Sequence, residues 1–364
     1  MNVKKILIFS LAYYPRVGGA EVAIKEITDR VSDIEFHMIT LRFDSGQAKE
    51  EKVGNVLVHR VGGGSSYFSK ILFIPRAVLA AQRLNRAEKF DAAWAMMSYM
   101  AVPLVFLRLP YVLTLQEGDT YGHMFARLRI LPFLPIINRG FRNAQVVQAI
   151  STYLGGWARK RGFTGPIEII PNGVDVKKFS GQHIPHDGTV LITSSRLVHK
   201  NAVDDIIRAL VDLPPYVRLV VAGNGPDERK LKKLAKELKI ESRVKFLEYV
   251  SHDELPSHLH ASDIFVRPSR SEGLGNSFIE AMAAGLPVVA TQEGGLKDFI
   301  SSDTAWVVSK NNPSQIALQI KAILGNPEHV KRVTDNAHRL VAEKYDWSLI
   351  ARDMREKVFA RLFV

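Results

Sequence analysis

The chain has 364 residues, 46% of them hydrophobic and 24% charged. That length exceeds one ordinary core and fits two α/β domains. It contains no cysteine, which excludes disulfides, thiolate metal sites and thiol nucleophiles, and suits a reducing, cytoplasmic compartment.

In chain order, strand-length apolar runs occur at Lys4–Ser10, Phe36–Leu41, Val56–Val61, Ala92–Met97, Tyr111–Leu115, Gln145–Ile150 and Ile167–Ile170, separated by helical patterns. The first run follows a basic start but is too short for a signal sequence, and Tyr13-Tyr14-Pro15-Arg16 ends it. No apolar stretch reaches the roughly 20 residues that span a bilayer. Asn172 to Gly188 is rich in turn formers and lacks an apolar period, which marks a domain boundary. Strand runs resume at Val190–Ser194, Arg218–Ala222, Val244–Leu247, Ile264–Arg267, Pro287–Thr291 and Trp306–Val308. The alternation predicts an α/β fold. Two Rossmann-like, doubly wound parallel-sheet domains, residues 1–172 and 173–346, are expected to face across a cleft at the carboxyl ends of their strands. Trp347 to Val364 reads as one amphipathic helix after the second sheet is complete, crossing back to the first domain.

The densest chemical signal lies between Ser271 and Pro287. Ser277 to Ala284 is a good helix sequence, with Asn276 as its expected cap, Gly285 in the left-handed position after its end and Pro287 to stop it. The glycines before it let backbone N–H groups approach a ligand, and a helix N-terminus with such amides suits a diphosphate. Glu280 lies one turn inside that helix and Glu272 on the other side of the glycines, each able to accept hydrogen bonds from hydroxyls. The bland alternative is an ordinary capped helix with two exposed glutamates.

Glu272 and Glu280 are separated by seven residues, and the segment resembles the corresponding motif of glycosyltransferase family 4, retaining enzymes of the GT-B fold. The resemblance covers nearly the whole chain. It includes Gly18-Gly19-Ala20-Glu21, Pro171-Asn172-Gly173-Val174-Asp175, Ser195 to Asn201, and Ala222-Gly223-Asn224-Gly225-Pro226. It implies transfer of a hexose-type sugar from a UDP- or GDP-sugar to a lipid-linked or glycan acceptor, in cell-envelope polysaccharide or glycoconjugate synthesis. Glu280 would bind the ribose and Glu272 the donor sugar. The backbone of Gly275, Asn276 and Ser277 would grip the diphosphate, and Arg196 and Lys200 would neutralise it. The loop at Gly18 and Gly19 would close over the donor. Gly225 would lie near the nucleotide, with the base beside Tyr249 and Val250. Attack on the donor's front face, with the leaving phosphate taking the proton, needs no cofactor and no metal.

Independent of the resemblance, Arg196 and Lys200 follow a strand and precede a helix read as capped by Asn201, with Asp204 and Asp205 in its first turn. A guanidinium fork and an ammonium at a strand's carboxyl end suit phosphate. Pro226 is read as a first helical residue, and Glu21 has an alternative as a first-turn helix acid. One departure concerns Gln116, which stands where the family often has a histidine. It can hydrogen-bond a hydroxyl but cannot exchange a proton near neutral pH. Glu117 or Asp119 is then a candidate base or orienting group, and His123 reads as a loop residue.

The net charge of +12 is uneven: residues up to Ile170 hold 22 Lys and Arg against 13 Asp and Glu, the remainder 27 against 24. Tyr67 to Ala87 and Met124 to Arg142 mix large apolar residues with cations and contain no acid. That composition suits peripheral contact with an anionic membrane surface; the alternative is two buried helices with solvated cations. Rival functions are a nucleotide-sugar epimerase, a phosphorylase, a silent relative, and a nucleic-acid binder using aromatics such as Tyr67 and Phe73. No nucleic-acid motif accompanies those aromatics, so no nucleic-acid partner is expected.

Overall fold

A computed structural model of the protein describes residues 3–363. The chain divides into two compact units, one running to Asn172 and taking in the tail from Trp347, the other spanning Gly173–Asp346.

The first unit is built on β1 (Lys4–Phe9), β2 (Ile34–Leu41), β3 (Glu50–Val53), β4 (Val56–Val61), β5 (Ala92–Met96), β6 (Tyr111–Leu115), β7 (Val146–Ala149) and β8 (Ile167–Ile169). They form one sheet in the order β3-β4-β2-β1-β5-β6-β7-β8. Every pairing is parallel except β3 with β4. Ile6 to Phe9 is buried on both faces, as helices on either side of a parallel sheet require. Its register places Ile6 between Phe36 of β2 and Ala92 of β5. β3 was not expected, because Glu50-Glu51-Lys52 has no apolar alternation. It is an edge strand held by β4, where Glu51 pairs with Arg60 and Glu50 with His59 (3.1 Å).

The second unit comprises β9 (Thr189–Ser194), β10 (Val217–Ala222), β11 (Val244–Leu247), β12 (Ile264–Arg267), β13 (Val288–Ala290) and β14 (Trp306–Val307). All are parallel, in the order β11-β10-β9-β12-β13-β14. In each sheet the winding reverses beside its first strand, between β1 and β5 and between β9 and β12. The carboxyl ends at such a reversal are where doubly wound sheets bind ligands.

The tail was expected as one helix, but it is wound three ways. Trp347–Asp353 is α-helical, Met354–Val358 π-helical and Phe359–Phe363 a 3-10 turn. The winding follows the core it fills. Consecutive Val358 and Phe359 are both fully buried, and the Phe359 ring lies 5.9 Å from that of Phe36 and 5.2 Å from that of Trp94.

The two acid-free segments of the first unit are not simply buried helices. In the helix Tyr67–Glu88, Phe73, Ala77 and Ala81 face the core while Tyr67, Phe68, Ile71, Leu72 and Leu79 are exposed. Leu128, Leu131 and Phe133 are exposed on the second segment, Phe68 and Leu128 at 74% and 85%. The guanidinium of Arg129 lies 5.5 Å over the Tyr67 ring, so the segments adjoin. Among the described residues, no helix is long and apolar enough to cross a membrane.

Phe359→Ala is expected to lower the stability of the first unit by about 3–5 kcal/mol, because it empties a packed aromatic site. Arg355→Ala, which removes an exposed ion pair with Asp33 (2.5 Å), should cost less than about 1 kcal/mol. Denaturant midpoints of the two variants measure the contrast.

Candidate functional site

The carboxyl edge of the second sheet collects most of the residues singled out above. Arg196 and Lys200 follow β9, Gly223 and Gly225 follow β10, Tyr249 and Val250 follow β11, and Glu272 to Glu280 follow β12. Four successive loops around the β9/β12 reversal thus meet at one end of the sheet.

The helix after β12 runs Asn276–Ala283. Its cap is not Asn276 but Gly275, at φ 88°, with no side-chain hydrogen bond. The chain must turn through the left-handed region here, where a side chain at residue 275 would also strike the Phe278 ring, so glycine takes the position asparagine was expected to fill. Gly285, at φ 77°, takes the left-handed position after the other end.

The two glutamates are not exposed. Glu272 is 6% and Glu280 8% accessible, which removes the bland reading. A buried carboxylate needs a partner. For Glu272 that partner is Arg267, the last residue of β12, itself 8% accessible and paired with Glu272 Oε1. The same guanidinium donates through Nη1 to Ser277 Oγ (2.6 Å) and through Nη2 to Asn201 Oδ1 (3.0 Å), and lies 5.2 Å from the Phe278 ring centroid. Ser269 Oγ adds a donor to Glu272 Oε1 (3.4 Å). For Glu280 the partner is His252, whose Nε2 lies 3.3 Å from Oε1, with its ring against Phe179 (5.2 Å). Tyr249 is exposed and Val250 half-buried on the same loop as His252.

Arg267 and His252 were missed in the sequence. Arg267 did leave a signal, a cation ending the fully buried run Ile264-Phe265-Val266. The pair Gly294-Gly295 after β13 was also missed. Gly295 N–H donates to Glu272 O (3.0 Å), and a Cβ on Gly294, at φ 61°, would collide with that carbonyl.

Asn201 is not a helix cap. It closes a 3-10 turn at His199–Asn201, and the helix Val203–Ala209 starts from Ala202 at φ 56°. The Asn201 side chain is spent elsewhere, its Nδ2 donating to Arg196 O (2.6 Å) while Oδ1 accepts from Arg267. Arg196 itself is exposed and Lys200 half-buried. The Lys200 carbonyl accepts from Arg270 N–H (2.7 Å), and the Arg270 side chain binds Asp204 and Asp205 (2.9 Å each) and Asn311 Oδ1 (2.6 Å). Burial pushes the Asp204 carboxyl up, but the Arg270 guanidinium outweighs it and holds that carboxyl below its ordinary range.

Pro226 is not helical either, since the helix begins at Glu228. The preceding glycines serve loop packing. Leu197 N–H donates to Asn224 O (2.8 Å), and a Cβ on Gly223 or Gly225 would run into the carbonyl of Ser195 or Leu197.

The remaining residues belong to the carboxyl edge of the first sheet. Gly18 caps the helix Gly19–Arg30, and its N–H donates to Glu21 Oε2 (2.8 Å), so Glu21 acts as a first-turn acid of its own helix. Gln116 follows β6. Its Nε2 donates to Asn172 Oδ1 (2.5 Å), while Oε1 is buried with no partner. Glu117 is not placed as a base. It is 1% accessible, burial pushes its carboxyl up, and its oxygens accept from the N–H groups of Ser98 (2.6 Å) and Gln116 (2.9 Å). It supports the turn after β5, where Met97 sits at φ 73°. Asp119 lies 3.8 Å from His123, which is in the short helix Tyr121–Phe125, capped by Thr120, and not in a loop.

Comparison with known proteins adds the family. Residues 17–178 match the model of Glycosyltransferase Family 4, and residues 175–340 that of Glycosyl transferases group 1. An uncharacterized glycosyltransferase of Methanocaldococcus jannaschii is 26% identical over 100% of this chain and 99% of its own. A GDP-mannose-dependent alpha-(1-6)-phosphatidylinositol monomannoside mannosyltransferase of Mycobacterium tuberculosis is 24% identical over 97% and 98%. Among solved structures, sucrose-phosphate synthase from Thermosynechococcus elongatus superposes with a TM-score of 0.87 at 20% identity, covering 99% of both chains. Anabaena HepE, solved with UDP-glucose, gives 0.80 at 20% identity over 98% of this chain and 99% of that one. The two models together take in nearly the whole of both units, and this chain, with its pair of Rossmann-like GT-B domains, belongs to glycosyltransferase family 4.

Proposed function

We propose that the protein is a retaining glycosyltransferase that takes a hexose-type sugar from a UDP- or GDP-sugar bound at the carboxyl edge of the second sheet. One observation carries this reading: two buried glutamates flank a left-handed glycine at a helix N-terminus, beside the β9/β12 reversal. The helix amides from Gly275 to Ser277, with Arg196 and Lys200, hold the diphosphate and stabilise the charge it gains as the glycosidic bond breaks. Glu280 accepts from the ribose hydroxyls and Glu272 from the donor sugar. The sugar keeps its anomeric configuration because the acceptor attacks the face the diphosphate leaves, and the leaving phosphate takes the acceptor's proton. This chemistry uses no metal. The printed names of the mycobacterial relative and of the HepE complex, one GDP-mannose-dependent and one holding UDP-glucose, favour a nucleotide-sugar donor.

For the acceptor we propose a lipid-linked glycan or glycolipid, presented at an anionic membrane surface on the cytoplasmic side. The exposed apolar residues of Tyr67–Glu88 and of 124–142, interleaved with Arg and Lys, supply the surface. The relative's name, which specifies a phosphatidylinositol-linked acceptor, supports the class.

Three outcomes test these proposals. Incubated with a panel of nucleotide sugars, the protein should slowly hydrolyse one donor. Lys200→Ala and Glu272→Ala should each suppress that hydrolysis by about 10²-fold, and Arg196→Ala should do so without lowering the unfolding midpoint; unchanged hydrolysis in all three would place the donor elsewhere. Turnover should survive a chelator, whereas loss restored by manganese would show a metal in the chemistry. Sedimentation with anionic vesicles at low salt should exceed that with neutral ones, and Phe68→Ser together with Leu72→Ser should reduce it; equal sedimentation would remove the membrane proposal.

A further inference from the structure

The second unit carries a cluster of ligating side chains at the amino end of its sheet, away from the donor residues. His183 and His186 lie on the irregular segment before β9, and Asp263 immediately precedes β12. His183 Nε2 is 3.2 Å from Asp263 Oδ1, and His186 Nε2 is 3.5 Å from Asp263 Oδ2. The two imidazole centroids are 5.2 Å apart, and one ligating atom from each residue falls within 4.8 Å of the other two.

The backbone around the cluster is already fastened. Asp263 N–H donates to Val190 O (2.8 Å) and Val190 N–H donates to Asp263 Oδ2 (2.7 Å), so the carboxylate is fixed by the sheet and keeps Oδ1 for another partner. Ile184 N–H donates to His260 O (2.8 Å), and the His260 ring binds Phe179 O (2.8 Å). The loop bearing both histidines is therefore pinned to the segment that carries Asp263.

Beyond its 3.5 Å approach to Asp263, His186 has no partner. Both ring nitrogens of His186 are buried and neither makes a hydrogen bond. A buried polar group in that condition points to something it is built to bind. The groups are gathered closely enough to share one ion: the imidazoles approach the two carboxylate oxygens of Asp263 at 3.2 and 3.5 Å, and one ligating atom of each residue lies within 4.8 Å of the others, a spread that side-chain rotation closes to the roughly 2.0–2.1 Å bonds of a zinc site. Two imidazoles and one carboxylate suit zinc or a neighbouring transition ion over magnesium or calcium. A second histidine–carboxylate cluster, Glu35, His37 and Glu88, differs in this respect. There the Lys5 ammonium already sits 2.6 Å from Glu88 and 3.3 Å from Glu35, and His37 is bonded to Glu35 (2.7 Å) and His59 (3.1 Å).

We infer that His183, His186 and Asp263 form a zinc-type site that staples the segment before β9 to the start of β12. Water completes the coordination on the exposed side, since His183 is half accessible. The ion is structural. It stands at the opposite edge of the sheet from Glu272 and Glu280 and takes no part in glycosyl transfer.

The test uses the full chain with any affinity tag removed and zinc chloride as the probe. After dialysis against zinc, elemental analysis should find one retained equivalent, and the melting temperature should rise. Cobalt in place of zinc should give the visible absorption of a tetrahedral nitrogen–oxygen site. His183→Ala and His186→Ala should each weaken binding by more than ~10-fold and lose the rise, while His338→Ala, on the remote helix Pro327–Lys344, keeps both. Chelation should lower the melting temperature of the wild type to that of the histidine variants and leave donor turnover intact. Absence of retained zinc in the wild type, or equal retention in the His183 and His186 variants, would overturn the site.

Discussion

The carboxyl edge of the second sheet depends on one buried ion pair. Glu272 cannot be held out of water as a carboxylate unless a cation stands beside it, and Arg267 is that cation. Because Arg267 is the last residue of β12, its position is set by the sheet and not by the loop it serves. Its guanidinium reaches three separate segments: the glycine loop through Glu272, the helix through Ser277 and the turn after β9 through Asn201. A planar fork with fixed donor directions can hold all three at once, which an ammonium on a flexible stem does less well. An apolar residue at 267 would pack more cheaply against Phe278, but it would leave Glu272 buried and uncompensated.

Around this pair the loops are joined backbone to backbone, and the glycines are what permit it. Gly223 and Gly225 let the loop after β10 lie directly on the carbonyls of Ser195 and Leu197, and Gly294 lets the loop after β13 lie on the carbonyl of Glu272. Gly223 and Gly225 were read as a turn lying near the nucleotide, and Gly294 was not singled out. Their evident work is to let neighbouring loops approach each other, so that Arg196, Lys200 and Glu272 stand on a rigid layer. Gly275 is of another kind, since its positive φ makes the left-handed turn from which the helix starts. A site that must stabilise developing charge benefits from donors that need no rearrangement when the charge appears.

The sequence revealed the strands because most are short, nearly continuous apolar runs, as buried parallel strands are. It failed at β3, whose Glu50-Glu51-Lys52 has no apolar face and is held only by pairing across to β4. It failed also at the helix starts. Asn276, Asn201 and Pro226 all have the chemistry of caps or first helical residues, and none serves that way. Local preference lost to tertiary demand in each case: a left-handed turn at Gly275, a side chain committed to Arg196 and Arg267 at Asn201, and a loop laid on Leu197 before Glu228. Glu272 and Glu280 were legible because glycines and a helix lie between them. His252 and Gly294 were not, because their contacts with Glu280 and Glu272 are made across the fold and leave no spacing to read.

The carboxyl edge of the first sheet is built differently. Three polar groups follow β6, of which only Glu117 and Asp119 have the chemistry of a base. Gln116 does not titrate, and its amide nitrogen is bound to Asn172. Glu117 does titrate, but it is sealed from solvent, and both its oxygens are occupied by the backbone at Ser98 and Gln116, where it supports the positive-φ turn at Met97. Asp119 stands beside His123, four residues beyond the strand end. A base needs to be both accessible and held in place, and neither Gln116 nor the sealed Glu117 meets both conditions. The groups fixed here are a glutamine, Gln116, and a sealed glutamate, Glu117. Both are positioning groups, and among the three only Asp119 combines exposure with a titratable side chain.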